Sequence, residues 1–332
     1  MERAVLLAAA GLLACAVADD GYAQRRGTEG EAGGEKAKVI FRQDFEKNGI
    51  PDFAATGWGS VEFLKATMPE SVEKSKVEGF AVRWKEGGAL GSKGAIEIIR
   101  TGDNVHACAE KYLDWPGDGA TVIFNYYSHG TVGEEGLYLQ GWDKKAGKNL
   151  HAYLDPQAPQ DQWQVAKIGA ESLTGFGGGA FGTGDTFGNI MFVEHFDEGV
   201  KDAFVLVDNL VIFQGRDGQP PTKAPSGLAA KWDAAKGCVV LSWNPAEDDV
   251  GIYSYEVFRA DAAGVEAKSK NKIGAVCALS FDDRTTTGGQ TYYYKIVGKD
   301  AGGNKAASEE LTYKAEQTPA AATAKPKEKT EF

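Results

Sequence analysis

The sequence VVLSW at residues 239–243 decides the fold class of the C-terminal part of this chain. Its first, third and fifth residues are apolar, so they point to one side of a β-strand. The strand ends at Asn244-Pro245, because proline has no backbone N–H to donate to a sheet. Two more runs with a period of two follow, at Tyr253–Arg259 and Tyr292–Val297. The pattern predicts an antiparallel β-sandwich with Trp243 in its core.

Five motifs follow one another in this part of the chain. They are Pro225-Ser-Gly-Leu228, Leu241-x-Trp243, Tyr255-x-Val257-x-Arg259, a Gly-x-Thr-Tyr-x-Tyr-x-Ile run from Gly289, and an Asp-x-x-Gly-Asn turn that ends at Asn304. In this order they resemble a fibronectin type III domain of bacterial extracellular proteins, spanning residues 225–316. The resemblance implies that Tyr292 is the tyrosine corner, whose hydroxyl binds backbone upstream. It also implies a spacer or adhesion module without catalytic residues.

The N-terminus has the pattern of an export signal. Arg3 precedes an apolar run from Ala4 to Val17, which is too short to span a bilayer. Ala16-Val17-Ala18 is an A-x-A-like cleavage site, so we predict a signal peptide at residues 1–18. As an alternative, the residues before Cys15 approximate a bacterial lipobox, which would leave Cys15 as a lipid-anchored N-terminus. We expect an exported protein (extracellular, cell-surface or periplasmic) with no transmembrane segment.

The charge balance excludes two classes of partner. The chain has 36 Lys and Arg residues against 47 Asp and Glu residues, which gives a formal net charge of -11. An acidic surface repels phosphate backbones and anionic lipids. We therefore expect no nucleic-acid partner and no anionic membrane partner.

The remaining chain divides by composition. Residues 19–37 are polar and rich in Gly and Glu, and they predict a disordered spacer. Residues 38–215 carry nine short apolar runs bounded by turn residues, without a sustained helical stripe, and these runs predict a jelly-roll β-sandwich. The predicted linker at residues 216–224 contains two adjacent prolines, and residues 317–332 predict a disordered tail. The predicted fold class is all-β, a jelly-roll sandwich followed by a fibronectin type III (immunoglobulin-like) sandwich.

Three motifs within residues 38–215 carry a second resemblance. Arg42-Gln-Asp44-Phe45-Glu46 stands at the start, Trp163-x-Val165-x-x-Ile168 in the middle, and the apolar run Phe204–Phe213, interrupted by Asp208-Asn209, at the end. In this order they resemble the jelly-roll carbohydrate-binding modules. The resemblance implies that the first and last strands are neighbours and that a structural Ca²⁺ ion binds where they meet.

The resemblance also implies which residues would hold that ion. Glu46 and Asp208 are the first candidates, and Asp44 is a further one. Carboxylate oxygens suit Ca²⁺, which takes six to eight oxygen ligands. The alternative is that Asp208 is a solvated residue at a β-bulge in the last strand.

Aromatic and polar residues alternate on two adjacent runs in the middle of this region. Tyr138, Gln140 and Trp142 share one strand face, and His151 and Tyr153 share a face of the next run. If the two faces coincide, they form a strip on which a polysaccharide could lie, because aromatic rings stack on the apolar faces of sugars. The alternative is that the same strip packs the core of the sandwich.

Signals of catalysis are weak. The four histidines are scattered without a metal-binding spacing, and no Gly-x-Ser-x-Gly elbow occurs. Glu194 and Glu198 could share a strand face as paired carboxylates, although a solvated strand end explains them as well. The main hypothesis is a non-catalytic glycan-binding protein. A structural or adhesion protein with protein partners at the cell surface is the alternative, and a divergent glycoside hydrolase or lyase is the third.

Three cysteines follow Cys15. Cys238 and Cys277 lie within one predicted domain and could form a disulfide in an oxidising compartment, or remain as small free thiols. Because residues 239, 241 and 243 point inwards, alternation directs Cys238 outwards, which disfavours a bridge. Cys108 is predicted to be a lone strand cysteine.

Overall fold

The computed structural model describes residues 36–46, 54–56, 76–77, 80–100, 106–130, 136–155, 158–175, 178–195 and 202–316. The predicted signal peptide, Cys15, nearly all of the spacer and the C-terminal tail lie outside these residues. Within them the chain is built almost wholly of strands in antiparallel sheets, which confirms the all-β prediction. No helix in this part of the chain is long and apolar enough to cross a membrane.

Twelve strands form the N-terminal sandwich. They are β1 Lys38–Gln43, β2 Ala54–Thr56, β3 Lys76–Val77, β4 Phe80–Glu86, β5 Gly94–Arg100, β6 His106–Pro116, β7 Ala120–His129, β8 Leu137–Asp143, β9 Lys148–Tyr153, β10 Trp163–Gly169, β11 Thr186–His195 and β12 Phe204–Gln214. A seven-stranded sheet runs in the order β10-β7-β12-β5-β4-β3, with β1 also paired to β12. A five-stranded sheet runs in the order β2-β6-β11-β8-β9. The first and last strands are thus neighbours, as the resemblance implied.

Strand β12 organises the seven-stranded sheet. It pairs with β7 along one side, and with β5 and then β1 along the other. Its register shifts after Asp208, where Asn209 has a φ of 50°. This β-bulge resets the alternation, so that residues 205 and 207 before it and residues 210 and 212 after it all face the core.

Strand β6 was not among the predicted runs. Ala109, Leu113 and Trp115 alternate towards the core, but Lys111 falls on the same side, where its ammonium lies 6.0 Å from the ring centroid of Phe41. The charged residue interrupts the alternation of apolar residues, so this strand could not be predicted from the sequence pattern. Lys111 is only half-buried, and a long lysine side chain can cover apolar surface with its methylene groups while its ammonium stays in water.

Eight strands form the C-terminal sandwich. They are β13 Ser226–Asp233, β14 Cys238–Asn244, β15 Ile252–Ala260, β16 Lys272–Val276, β17 Ser280–Asp283, β18 Thr291–Asp300, β19 Lys305–Ala307 and β20 Leu311–Lys314. One sheet runs β13-β14-β17 and the other runs β16-β15-β18-β19, with β20 also paired to β18. Trp243 lies in the core, 5.4 Å from the ring of Tyr255, as predicted. The hydroxyl of Tyr292 accepts the backbone N–H of Thr287 at 2.8 Å, which is the contact expected of a tyrosine corner.

The C-terminal sandwich, for which the resemblance implied a spacer or adhesion role, packs directly against the N-terminal sandwich. Val250, Tyr253 and Ala301 form an apolar cluster with residues of β7 and β12, including Val211 and Phe213. Two hydrogen bonds cross the junction as well. The Asn125 amide donates to the carbonyl of residue 253 at 3.1 Å, and the N–H of residue 90 donates to the carbonyl of residue 277 at 2.8 Å. The second sandwich therefore covers part of the outer surface of the seven-stranded sheet.

The cysteines of the second sandwich form no disulfide. Cys238 and Cys277 are both buried thiols without a bridge. Cys238 lies outside the core cluster around Trp243, as alternation predicted, but it is covered rather than exposed. Cys108 lies in β6, as a strand cysteine.

Glu194 differs from the predicted solvated strand end. It lies opposite Leu137 in the sheet, it has no exposed surface, and neither carboxylate oxygen has a hydrogen-bond partner among the described residues. Burial raises the pKa of Glu194 well above its ordinary value of 4.5. Glu198, its proposed partner, lies outside the described residues.

The buried Glu194 predicts a pH-dependent stability. Because the folded state holds this proton more tightly than the unfolded state, its contribution is fully present below pH 4.5 and is lost as pH rises towards the folded pKa. Glu194→Gln removes the titration. The free energy of unfolding of the variant minus that of the parent should increase between pH 4.5 and 8 in urea denaturation series. The exposed Glu171→Gln is the matched control, and a flat difference for Glu194→Gln would contradict the assignment.

Candidate functional site

The structure brings the predicted aromatic strip together. Strands β8 and β9 pair so that Tyr138 lies opposite Tyr153, and Gln140 lies opposite His151. The alternate residues of the same strands, including Leu139, pack in the sandwich core. The two predicted faces therefore coincide, and they lie on the side of the five-stranded sheet that faces away from the core.

Members of the strip differ in exposure. Trp142 and Tyr153 expose 41% and 43% of their surface, whereas Tyr138, Gln140 and His151 expose 5% or less. Tyr138 packs edge-on against the rings of His151 and Tyr153, at centroid distances of 5.8 and 5.2 Å. The buried members thus support the ring of Tyr153, and Trp142 and Tyr153 are the members that a ligand could reach.

Tyr112 on β6 is a third exposed ring that the sequence analysis missed. It exposes 49% of its surface and lies opposite Asn189 of β11, on the same side of the sheet as Trp142. Tyr112, Trp142 and Tyr153 are the large hydrophobic side chains that are exposed among the described residues. We call the surface that bears them the aromatic face. The period of two through Ala109, Leu113 and Trp115 was the signal that could have located Tyr112.

A hydrogen-bonded network joins the strands beneath the aromatic face. The Tyr112 hydroxyl donates to Glu110 Oε2 at 2.8 Å, and the Asn189 amide donates to Glu110 Oε1 at 2.7 Å. Asn189 Oδ1 in turn accepts the backbone N–H of Trp142 at 2.5 Å. The register shift next to Asn189 disturbs the ladder here, and its side chain satisfies the N–H instead. Two of the three exposed rings are therefore held by one network.

The electrostatics of the network keep the phenol of Tyr112 neutral. Burial, together with the hydrogen bond to Glu110 and its charge, raises the pKa of Tyr112 to about 12, so the phenol stays neutral and donates to Glu110. A carboxylate offers about four acceptor positions, and this one uses two within the protein. Glu110 is 2% exposed, so its carboxylate lies beneath the aromatic face and orders the side chains of Tyr112 and Asn189.

The spacing of the rings follows from sheet geometry. Tyr112 and Trp142 lie on strands separated by one intervening strand, so their backbones are about 10 Å apart. Trp142 and Tyr153 lie on adjacent strands with four residues of offset, which gives about 14 Å. Rings at these separations can contact different units of an extended chain ligand.

The predicted calcium ligands Asp208 and Glu46 both meet the turn that precedes β5. Asp208 is fully buried, its Oδ2 accepts the N–H of Ala89 at 2.9 Å, and a Cβ at Gly88 would collide with that oxygen. Glu46 Oε1 accepts the N–H of Lys93 at 3.2 Å. Burial, with a further contribution from the charge of Glu46, raises the pKa of Asp208 to about 7. Asp208 is thus at the bulge, as the alternative held, but it is not solvated.

Asp44 stands apart from this pair. It is exposed, and its Oδ1 accepts the N–H of residue 46 at 3.3 Å. A different acidic group brings three carboxylates within 4.8 Å of one another, and it consists of Asp217, Asp248 and Asp249 at the junction of the sandwiches. The sequence analysis did not single out these three residues, because the first is distant from the other two along the chain.

Comparison with curated proteins finds similarity to segments of much longer chains. Over 83 residues the chain is 37% identical to an amylopullulanase of Thermoanaerobacterium thermosulfurigenes and 36% identical to one of Thermoanaerobacterium saccharolyticum. These alignments cover 24% of this chain, but only 4% and 6% of the relatives. No family model matches the chain.

Comparison with solved structures finds similarity to two bacterial proteins over part of the chain. A fibronectin type III-like protein from Clostridium thermocellum is 24% identical with a TM-score of 0.25, covering 30% of this chain and 98% of that one. A family 11 carbohydrate-binding module of Clostridium thermocellum, in complex with a β-1,3-1,4-mixed-linked tetrasaccharide, is 16% identical with a TM-score of 0.33. The alignment covers 54% of this chain and 95% of that module.

The network predicts that Asn189 stabilises the aromatic face. Asn189→Ala removes two hydrogen bonds from buried groups, one of them to a carboxylate, and should lower the free energy of unfolding by about 2 to 4 kcal/mol. Urea denaturation measures this loss. Asn149→Ala, on the same face but outside the network, should change the free energy by about 0.5 kcal/mol or less. Equal effects of the two substitutions would contradict the role of the network.

Proposed function

We propose that this is an exported protein that binds a neutral polysaccharide on the aromatic face. The observation that carries the proposal is that the exposed large aromatic side chains of the described residues all lie on one sheet surface, around a buried carboxylate. Isolated exposed apolar residues are common on proteins, but three on one face, two of them held by a polar network, are typical of a binding surface.

The chemistry of the face fits an uncharged sugar chain. Tyr112, Trp142 and Tyr153 offer ring surfaces for the apolar faces of sugar units, and Glu110 holds the Tyr112 ring in place through the phenol hydroxyl. The net charge of -11 opposes the binding of polyanionic glycans. The similarity of an 83-residue segment to amylopullulanases supports a setting among proteins that act on carbohydrates.

We further propose that Asp208 and Glu46 hold a structural Ca²⁺ ion. Asp208 is a desolvated carboxylate next to a second carboxylate, and no cationic side chain among the described residues pairs with it. A hard divalent cation would neutralise this charge and would tie the end of β1 to β12 and to the turn before β5. The ion would act on stability, at a distance from the aromatic face.

Substitutions on the aromatic face test the polysaccharide proposal. Trp142→Ala and Tyr153→Ala should each weaken binding about tenfold, because each removes a stacking surface. Affinity electrophoresis and pull-down with cellulose, mixed-linked β-glucan, xylan, mannan and starch measure the effect, with polyanionic pectate as the charged comparison.

The matched control is Tyr293→Ala, which removes a half-buried tyrosine of the C-terminal sandwich. It should leave retention unchanged. The proposal fails if no neutral polysaccharide retains the protein, or if Tyr293→Ala reduces retention as much as Trp142→Ala. Release of shortened sugars from any of these glycans would instead support the hydrolase hypothesis.

Calcium should stabilise the protein through Glu46 and Asp208. At a free concentration of about 100 times the Kd, one site adds about 2.7 kcal/mol, which raises the unfolding midpoint by about 5 to 10 °C for a domain of the size of the N-terminal sandwich. Differential scanning calorimetry with calcium and with chelator measures the shift. Glu46→Gln should reduce it. A shift that persists in Glu46→Gln but disappears in Asp217→Asn would place the ion at the other acidic group and contradict the proposal.

A further inference from the structure

The turn between β4 and β5, at residues 87–93, contacts both sandwiches. Two consecutive N–H groups of this turn donate to different sandwiches. The N–H of Ala89 donates to Asp208 Oδ2 of the N-terminal sandwich at 2.9 Å, and the N–H of Leu90 donates to the carbonyl of Cys277 in the C-terminal sandwich at 2.8 Å. We call residues 87–93 the docking turn.

The side of the docking turn that faces the C-terminal sandwich is closely packed. The Leu90 side chain packs against the core cluster of that sandwich, and Ala89 is fully buried in a cluster with Cys277. Gly91 leaves no space there, since a Cβ at this position would lie 2.6 Å from Leu279 Cδ1. The docking turn is therefore seated in the C-terminal sandwich by side chains as well as by a hydrogen bond.

The conformation of the docking turn depends on its surroundings. Leu90 has a φ of 57°, which lies in the left-handed region and is unfavourable for a residue with a Cβ. A backbone conformation of this kind persists only where the contacts around it enforce it. Here those contacts come from both sandwiches, so the loss of the contacts on one side allows the turn to relax and weakens those on the other.

Both of the predicted calcium ligands hold the docking turn from the side of the N-terminal sandwich. Glu46 Oε1 accepts the N–H of Lys93, the last residue of the turn, at 3.2 Å. Asp208 accepts the N–H of Ala89 near the start of the turn. The two carboxylates thus hold the turn on either side of the part that contacts the C-terminal sandwich.

The start and the end of the turn come together at Gly88. A Cβ on Gly88 would lie 2.5 Å from Ser92 Oγ and 3.0 Å from the carbonyl oxygen of Gly94, and it would collide with Asp208 Oδ2. A hydroxyl, a carbonyl and a carboxylate oxygen are therefore gathered within a few ångströms, next to the backbone that Glu46 holds. Oxygen donors of these three kinds suit Ca²⁺.

We propose that the docking turn is a calcium-dependent latch between the two sandwiches. A cation held by Glu46 and Asp208 fixes the turn in its seat on the C-terminal sandwich, and removal of the cation releases it. This inference rests on the calcium site proposed above. A carboxylate has enough acceptor positions to bind a cation and a backbone N–H together, so the hydrogen bonds to the turn remain when the ion is bound.

The latch requires that the cation binds the seated turn more tightly than the released turn, because a ligand shifts an equilibrium only through such a difference. In the seated turn, the contacts of Leu90 with the C-terminal sandwich enforce the backbone conformation that gathers the oxygen atoms around Gly88. In the released turn these contacts are lost, and the oxygen atoms are held less closely. Coupling of this kind is reciprocal, so a change in the C-terminal sandwich that loosens the seat must weaken the binding of calcium.

An NMR titration of the isotope-labelled full chain with calcium chloride, after treatment with a chelator, tests the latch. The amide signal of Asn209 reports on the calcium site, and that of Ala278 reports on the seat, because its peptide group contains the carbonyl that accepts from Leu90. Both signals should shift and saturate with the same midpoint. The amide signal of Thr312 on β20, outside the junction, should stay in place.

A substitution in the C-terminal sandwich tests the reciprocal effect. Leu279→Ala removes the side chain that packs against Gly91, although every predicted calcium ligand belongs to the N-terminal sandwich. It should weaken calcium binding about fivefold in isothermal titration calorimetry. Leu311→Ala is the matched control, since it truncates a half-buried leucine of the same sandwich outside the clusters at the junction, and it should leave the calcium affinity unchanged.

The outcomes separate the latch from the calcium site itself. Calcium binding that shifts Asn209 but not Ala278, or that is equally tight in Leu279→Ala and the parent, would overturn the latch and leave the calcium site in place. Equal losses of affinity in Leu279→Ala and Leu311→Ala, or a shift of Thr312 as large as that of Ala278, would also contradict it. Failure of calcium to bind would overturn both proposals.

Discussion

The β-bulge at Asp208-Asn209 is the constraint on which the rest of the structure depends. Strand β12 pairs with β7 along one side. On its other side it pairs first with β5 and then, after the bulge, with β1. The extra residue at the bulge keeps apolar side chains directed to the core on both sides of the exchange. It also buries Asp208 against the turn before β5 and presents Val211 and Phe213 to the second sandwich.

The packing between the sandwiches determines which surface is left for a ligand. Because the C-terminal sandwich covers part of the seven-stranded sheet, the aromatic face on the five-stranded sheet lies on the opposite side of the N-terminal sandwich. The C-terminal sandwich forms one wall of a cavity between the two sandwiches, with Tyr253, Tyr255 and the loop that contains Asp248.

Much of the fold could be predicted from the sequence, because alternation is a local signal. It correctly indicated the inward residues around Trp243 and the shared face of Tyr138, Gln140 and Trp142. Local patterns could not show which side chains on that face are exposed to solvent. Tyr138, for example, is covered by residues of β11 that are distant in sequence. Tyr112 was missed because Lys111 interrupts the period of its strand.

Such local patterns could not predict the contacts between the two sandwiches. Tyr253 belongs to an alternating run and was interpreted only as part of a strand of its own sandwich, yet its ring packs against the first sandwich. The acidic group of Asp217, Asp248 and Asp249 likewise forms only when the linker folds back, where Asp217 accepts the N–H of Gly302 at 3.0 Å.

The most direct test of the central claim is an NMR titration that observes the indole N–H signals of the seven tryptophans while a neutral oligosaccharide is added. The account predicts that the signal of Trp142 shifts and saturates, while the signals of the buried Trp115 and Trp243 stay in place. A saturating shift confined to Trp163, on the seven-stranded sheet, would contradict the assignment of the aromatic face, and so would a titration in which Trp142 does not respond to any neutral oligosaccharide.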